Sequence, residues 1–476
     1  MLNTFDLRNR ELLDGIQGNI LKAHGRHHTA NLFIHCDDGR QAEAKAWLKS
    51  LVDPDDGIIR SGYVQLRSNV LWKEANVDTG LFACVHISAV GYDYLFGENA
   101  RLNFSDSSFQ NGMKNAELND PAIVDWEEGL RADNHFMLLL ANADTDALMA
   151  LIEEIEQDIL LFGRINKIER GDALLNREGA GLEHFGYVDG VSQPLFFDDE
   201  WEEYKAQNNI RNDTEIQFDS RAELDLVLIN DPFGAGDPNA FGSYFVFRKL
   251  GQDVRGFKTA EQVLADELNL VGEDRERAGA MLVGRFEDGT PVQLSDEAGI
   301  IHSAVTNNFD YDIDIPSKCP YHAHIRKSNP RSSMPTGFGG VQEAKRHIIA
   351  RRGIPFGERQ DDPNDGQLDN KPVLADGVGL LFMSYQASII NQFEFIQKNW
   401  VNNSSFPHLD LSVPDGLDPV IGQGMPREAG AFPARYGNPL TLTRAGFDQF
   451  VHMKGGEYFF APSMNFLKTV DTILIA

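Results

Sequence analysis

The sequence predicts an α+β fold made of two domains with related topology, and three observations carry that prediction. The chain has 476 residues, room for two or three domains at about 150 residues each. Hydrophobic residues make up 42 % of it and include 31 Phe, which supplies a large core and excludes a disordered chain. Strand-like and helix-like patterns also recur in a similar order in the two halves, less cleanly in the second.

In the first half, residues 29–36 (TANLFIHC) read as a strand and 40–52 as a helix with Trp47, Leu48 and Leu51 on one face. Residues 58–67 and 80–88 read as further strands from partial apolar–polar alternation. A strand near 135–141 precedes a helix that opens at Asp144 or Thr145 and buries Leu148, Leu151, Ile152, Ile155 and Ile159. Gly163 stands where a C-terminal cap belongs. Strand, helix, two strands, helix and an expected final strand make a split β-α-β unit of ferredoxin-like type. In the second half, 242–249 reads as a strand, 259–269 as a helix and 378–385 as a central strand. A helix with Ile389, Ile390, Phe393 and Ile396 inward follows, and 456–461 closes as a strand. The expected division is a first domain at 1–195, an acidic linker or excursion at 196–236, and a second domain at 237–476.

Charge and cysteine content narrow the function classes. With 43 Lys+Arg against 72 Asp+Glu, a net charge of −29 argues against nucleic acid or an anionic membrane as partner. No apolar run approaches the roughly 18 residues that a membrane span needs. Three scattered cysteines (Cys36, Cys84, Cys319) make neither a disulfide framework nor a Cys-x-x-Cys metal site. The first twenty residues lack the apolar core of a signal peptide, so a reducing, cytoplasmic compartment is expected.

Three segments could carry chemistry. CPYHAHIRKSNPR (residues 319–331) sets His322 and His324 beside Arg326, Lys327 and Arg331 in a chain otherwise poor in positive charge. A histidine ligand flanked by cations suits an anionic cofactor such as haem, although a basic surface turn explains the same residues. GYVDGVSQP (186–194) places Asp189 between glycines that allow close approach of a ligand, or simply make a turn. IIARRGIPFG (348–357) offers Arg351 and Arg352, as surface decoration or pointing into a pocket.

Taken together, these segments resemble the dye-decolourising peroxidases. GYVDG resembles that family's GxxDG signature, and HIRKSNPR, RRGIPFG, GLLFMSYQ and QFEFIQKNW follow in the family's order. IQGNILKAHGR near the start and KGGEYFFAPS near the end extend the resemblance over almost the whole chain. The larger branch, with fungal and some bacterial members, is the most similar. The resemblance implies two ferredoxin-like domains with antiparallel sheets, of dimeric α+β barrel type, with haem b held mainly by the second.

It also implies a haem peroxidase that uses H2O2, through an oxo-ferryl intermediate, to oxidise aromatic or dye-type donors in one-electron steps. His324 matches the proximal iron ligand, with His322 as rival on what reads as one strand. Asp418 is offered as the carboxylate behind that histidine, with Asp415 near it. Asp189 and Arg351 match the distal acid and arginine, with Arg352 the alternative. A carboxylate in the place of the usual histidine favours an acidic optimum. Arg326 matches a propionate partner, and Leu380 and Phe382 match the apolar cavity wall. Trp400 matches a residue that carries electrons at the surface in some relatives, and Tyr385 lies close to it in sequence. Fungal members often have tyrosine where this chain has Phe356, which removes one candidate surface route. The expected partners are H2O2 and an aromatic donor, with a homodimer common among relatives. The reading from a different class is a haem-binding or haem-handling protein whose peroxidase activity is incidental.

Overall fold

The computed structural model describes residues 1–299, 306–311, 316–407, 415–424, 427 and 429–473. The first half contributes β1 (His28–Cys36), β2 (Phe82–Ser88), β3 (Phe136–Asn142) and β4 (Gly163–Asp172). The second contributes β5 (Phe241–Gln252), β6 (Ala350–Arg351), β7 (Ile354–Phe356), β8 (Gly379–Gln386) and β9 (Val451–Ala461). They pair antiparallel in the order β7-β8-β5-β9-β2-β3-β1-β4, with β6 added to β8. Within each half the last strand flanks the first, which flanks the third, which flanks the second. That is the ferredoxin-like order, present twice.

The halves join where β9 pairs β2, with Phe459 opposite Ser88. The two ends of the strand path also meet. Gly171 on β4 lies so close to β7 that an added Cβ would stand 2.5 Å from Ile354 Cγ2. The strands therefore curl into a barrel. Phe33, Met137, Phe245, Phe247, Met383 and Phe459 belong to the cluster that fills its interior. Alternation along each strand sends the other side chains outward, beneath the helices.

The helix Thr145–Ile159 shows how sequence sets one such layer. Asp144 accepts hydrogen bonds from the backbone of Asp146 and Ala147, which caps the first turn. Leu148, Ile152, Ile155 and Ile159 are buried at helical spacing. Each contributes about 1.5–3 kcal/mol relative to exposure, so packing outweighs the cap.

Several expected elements differ. Residues 62–75 form a helix (Gly62–Ala75), not part of a strand, because Ser61 caps it by accepting from Val64 N and Asn76 closes it at φ 52°. Gly163 opens β4 instead of ending a helix, since a Cβ there would lie 2.0 Å from His35 O. The strand Gly379–Gln386 lies one from the end of the path and is not central. Ile389, Phe393 and Ile396 are buried as expected, in π-helical turns Ile389–Phe393 and Ile396–Val401, whereas Ile390 is 39 % exposed. The acidic stretch 196–236 contains a helix, Asp198–Gln207, and buries Phe196, Phe197, Trp201 and Tyr204. No described helix is long and apolar enough to cross a membrane.

Asp144→Ala should lower stability by about 1 kcal/mol, read as a shift of the urea midpoint at unchanged slope.

Candidate active site

The outward face of β8 and β5 floors a cavity of about 1580 Å³, part of it open to solvent. Leu380 and Phe382, two residues apart on β8, line it together, as do Leu250 and Gln252 on β5. The walls come from residues 183–192, from the short helix His324–Ser328 and from Val420 and Ile421.

His324 is the first residue of that helix, and its Nδ1 lies 2.8 Å from Asp418 Oδ2. Asp418 is fully buried, and its Oδ1 accepts from Val420 N at 2.8 Å and Ile421 N at 3.0 Å. Burial disfavours both charged forms, yet each partner outweighs it for the other. His324 is raised above an ordinary imidazole and Asp418 is lowered below an ordinary carboxyl. With Nδ1 engaged, Nε2 is the nitrogen left for a ligand.

His322 does not share this position. The expected strand is a turn running into a helix, so the two imidazoles diverge. His322 packs against Gly430 and edge-on to Phe432, with ring centroids 4.5 Å apart, and is not among the cavity-lining residues. Burial pushes it down to about 3.

Asp189 and Arg351 line the same cavity. Arg351 sits on β6 opposite Ser384, its Nη2 donates to Val191 O at 2.5 Å, and its Nη1 lies 3.5 Å from Asp189 Oδ1. Its backbone N donates to Gln193 Oε1 at 3.1 Å, which ties the strand to the Asp189 loop. Gly186, at φ 94°, supplies the turn into that loop, a backbone angle that favours glycine. Arg352 points elsewhere, donating to Asn19 O and Ile20 O.

Two expectations are corrected. Arg326 is fully buried and does not line the cavity. Its guanidinium donates to Cys319 O and Ser333 Oγ and lies over Tyr311 and Tyr321. Trp400 is 1 % exposed and so is no surface residue. It packs against Phe406, Phe395 and His347, in a cluster shared with the cavity-lining Ile396, Ile349 and Ile421.

The cavity's other arginines are Arg331, one of the three cations that the sequence set beside the candidate histidine ligand, and Arg285, which sequence reasoning missed. Arg331 follows three residues after the short helix, in the segment already singled out, while the sequence around Arg285 offered no signal. Both donate to Asn307 Oδ1, at 2.6 and 3.1 Å. Among the described residues neither is ion-paired with a carboxylate. Burial, with Arg331 beside it, pushes Arg285 down to about 9, and burial lowers Arg331 as well. Among the described residues the site holds more positive charge than carboxylates neutralise.

Glu183 was also missed. It faces the cavity and accepts from Phe185 N, Tyr187 N and Gln252 Nε2. Burial raises it from 4.5 to about 7. A raised folded value means stabilisation that is complete below about pH 4.5 and lost as pH climbs through about 7. In urea melts of the cofactor-free protein across that window, the wild type should lose on the order of 2–3 kcal/mol more than Glu183→Gln.

No protein-family model matches the chain. Curated relatives do. It is 43 % identical over 469 residues to the multifunctional dye peroxidase DyP2 of Amycolatopsis sp., covering 96 % of each chain. It is 30 % identical over 478 residues to the dye-decolorizing peroxidase AauDyP1 of Auricularia auricula-judae, covering 95 % of this chain and 85 % of that one. Among solved structures, the DyP-type peroxidase AnaPX of Anabaena sp. superposes with a TM-score of 0.88 at 37 % identity, covering 98 % of this chain and 97 % of that one. Identity at this level over nearly the full length shows that the chain belongs to the dye-decolourising peroxidases.

Proposed function

We propose that this peroxidase binds haem b through His324, handles H2O2 with Asp189 and Arg351, and oxidises aromatic, dye-type donors. The observation that carries the reading is the His324–Asp418 pair at 2.8 Å on the wall of a cavity that Asp189 and Arg351 also line.

The residues fit the cofactor. An imidazole whose other nitrogen is held by a buried carboxylate is a strong iron donor. Arg331 and Arg285, uncompensated by described carboxylates, match two propionates. Leu380, Phe382, Phe393, Ile396 and Val420 offer apolar surface to a porphyrin. When bound, haem supplies the iron that peroxide coordinates and the oxidising equivalents that follow.

The chain's own residues do the rest. His324 Nε2 would hold the iron, and Asp418 keeps the Nδ1 proton in place and increases the ring's donor strength. A carboxylate oxygen of Asp189 takes the proton from the near oxygen of peroxide and returns it to the departing one. Arg351 holds a fixed positive charge beside that exchange and stabilises the anions formed in it. The apolar wall limits water around them. A donor too large for the cavity delivers its electrons through the protein, and Trp400, behind the lining residues, is the candidate carrier.

In haem-loaded protein, Asp189→Ala and Arg351→Ala should each slow the peroxide-induced shift of the Soret band by about 10²- to 10³-fold in stopped flow. If Asp189→Ala retained its rate while Arg351→Ala lost it, the arginine alone would be the essential group. Carboxylates stay in the base form at lower pH than imidazoles, so dye oxidation should be faster near pH 4 than near pH 7. A Soret band that ignored peroxide would favour a haem-handling role.

A further inference from the structure

The barrel interior is packed with aromatic and aliphatic side chains, yet it also holds a phenol, an imidazole and a thiol in contact. The Tyr385 hydroxyl lies 2.8 Å from His86 Nε2. Cys84 Sγ is 3.8 Å from that hydroxyl and 3.9 Å from His86 Nε2. All three residues are fully buried. His86 stacks on Phe245 with ring centroids 4.0 Å apart, and Phe245 lies 4.8 Å from the Tyr385 ring. Cys84 and His86 come from β2 and Tyr385 from β8, so the curl of the barrel brings the two halves together here.

Tyr385 belongs to the strand that floors the cavity. Phe382, three residues earlier, lines it, a rise of roughly 10 Å along the strand. On β6 the residue paired with Tyr385 is Ala350, the neighbour of Arg351, and on β5 it is Phe245. The tyrosine thus stands behind the cavity floor, on the barrel side of the sheet.

We propose that Tyr385 and His86 form a buried proton-coupled redox pair, an internal electron donor to the cofactor site when no external donor is present. The proposal rests on the peroxidase reading above. One electron leaves the Tyr385 ring for the peroxide-oxidised cofactor site, the oxidant that the activity itself supplies. The phenolic proton passes to His86 Nε2. A neutral tyrosyl radical and an imidazolium remain; one electron that an external donor later delivers through the protein reduces the radical, and the imidazolium gives the proton back to restore the phenol.

The surroundings favour this chemistry. An oxidised phenol is intensely acidic, and it survives as a neutral radical only if its proton has somewhere to go. In the packed barrel the nearest base to the phenol is a side chain, His86 Nε2 at 2.8 Å from the hydroxyl. Burial holds His86 at about 3, so its ring is neutral, and in the tautomer that carries its proton on Nδ1 the Nε2 beside the Tyr385 hydroxyl accepts. Even a base that weak takes a proton from an oxidised phenol. Before oxidation Tyr385 stays a phenol, because burial raises it well above the usual range.

The test is electron paramagnetic resonance on haem-loaded protein, frozen after one equivalent of H2O2 without donor. The expected result is a tyrosyl signal that Tyr385→Phe removes, with the Soret response intact. His86→Gln keeps a hydrogen-bonding partner and lacks the basic nitrogen. It should form the radical about a hundredfold more slowly and shift its g-value, which a purely structural contact would not do. A radical unchanged in Tyr385→Phe, beside a normal Soret response, overturns the pair and leaves the peroxidase reading standing. A wild-type Soret band that ignores peroxide overturns that reading and the pair with it. Should Tyr385→Phe fail to fold, His86→Gln decides, and an unaltered rate and g-value reject the proposal.

Discussion

A carboxylate shut away from solvent must be paired where it stands or lose its charge, and Asp418 sets the geometry of the cavity in this way. Its one oxygen holds His324 Nδ1 and its other holds the backbone of Val420 and Ile421. Those bonds fix the loop that forms part of the wall. They also fix which imidazole nitrogen remains for a ligand. Because His324 opens a helix of only five residues, the chain leaves that helix in time to bring Arg331 to the same cavity. Residues from one buried pair onward therefore follow a single spatial plan.

The cavity's charge balance is the second constraint. The protein as a whole is strongly acidic, with a net charge of −29, yet Arg285, Arg331 and Arg351 converge on this one place. Asp189 lies 3.5 Å from Arg351, while Arg285 and Arg331 lean on Asn307 and backbone carbonyls. Neutral partners satisfy hydrogen bonds without cancelling charge, so among the described residues no carboxylate offsets this pair of guanidiniums. Glu183, held toward its neutral form by burial, adds no reliable negative charge in compensation.

Long periodic elements and contiguous motifs were legible in the sequence. The helix from Thr145 could be read from its cap and its apolar face, and Asp189, His324 and Arg351 from the motifs that hold them. Asp418 could be suggested, although nothing in one dimension says that a residue 94 positions away meets His324. The failures share a cause, which is that local pattern is silent about direction. Ser61 made a helix of what alternated like a strand. Arg326 and Arg331 look equivalent in HIRKSNPR, and only the fold shows that one turns into Tyr311 and Tyr321 while the other reaches the cavity. Arg285 and Glu183 carry no motif, because their roles come from burial and convergence.

Trp400 and Tyr385 occupy different surroundings beside the same cavity, and the difference has consequences for where charge can go. Trp400 meets His347 at 5.2 Å between ring centroids, and His347 Nε2 lies 3.6 Å from the Glu343 carboxylate, which is about one-third exposed. Side-chain contacts thus run from behind the cavity wall toward solvent. Tyr385 lies on the inner side of β8, where Phe245, His86 and Cys84 enclose it. A hole moving along the first set of contacts approaches a surface where a bulky donor can meet it. A hole on Tyr385 stays inside the barrel, beside a base that can hold its proton, and no external molecule can reach it there. The two arrangements are therefore not interchangeable: one suits turnover of a large donor, and the other suits storage of an oxidising equivalent when that donor is missing.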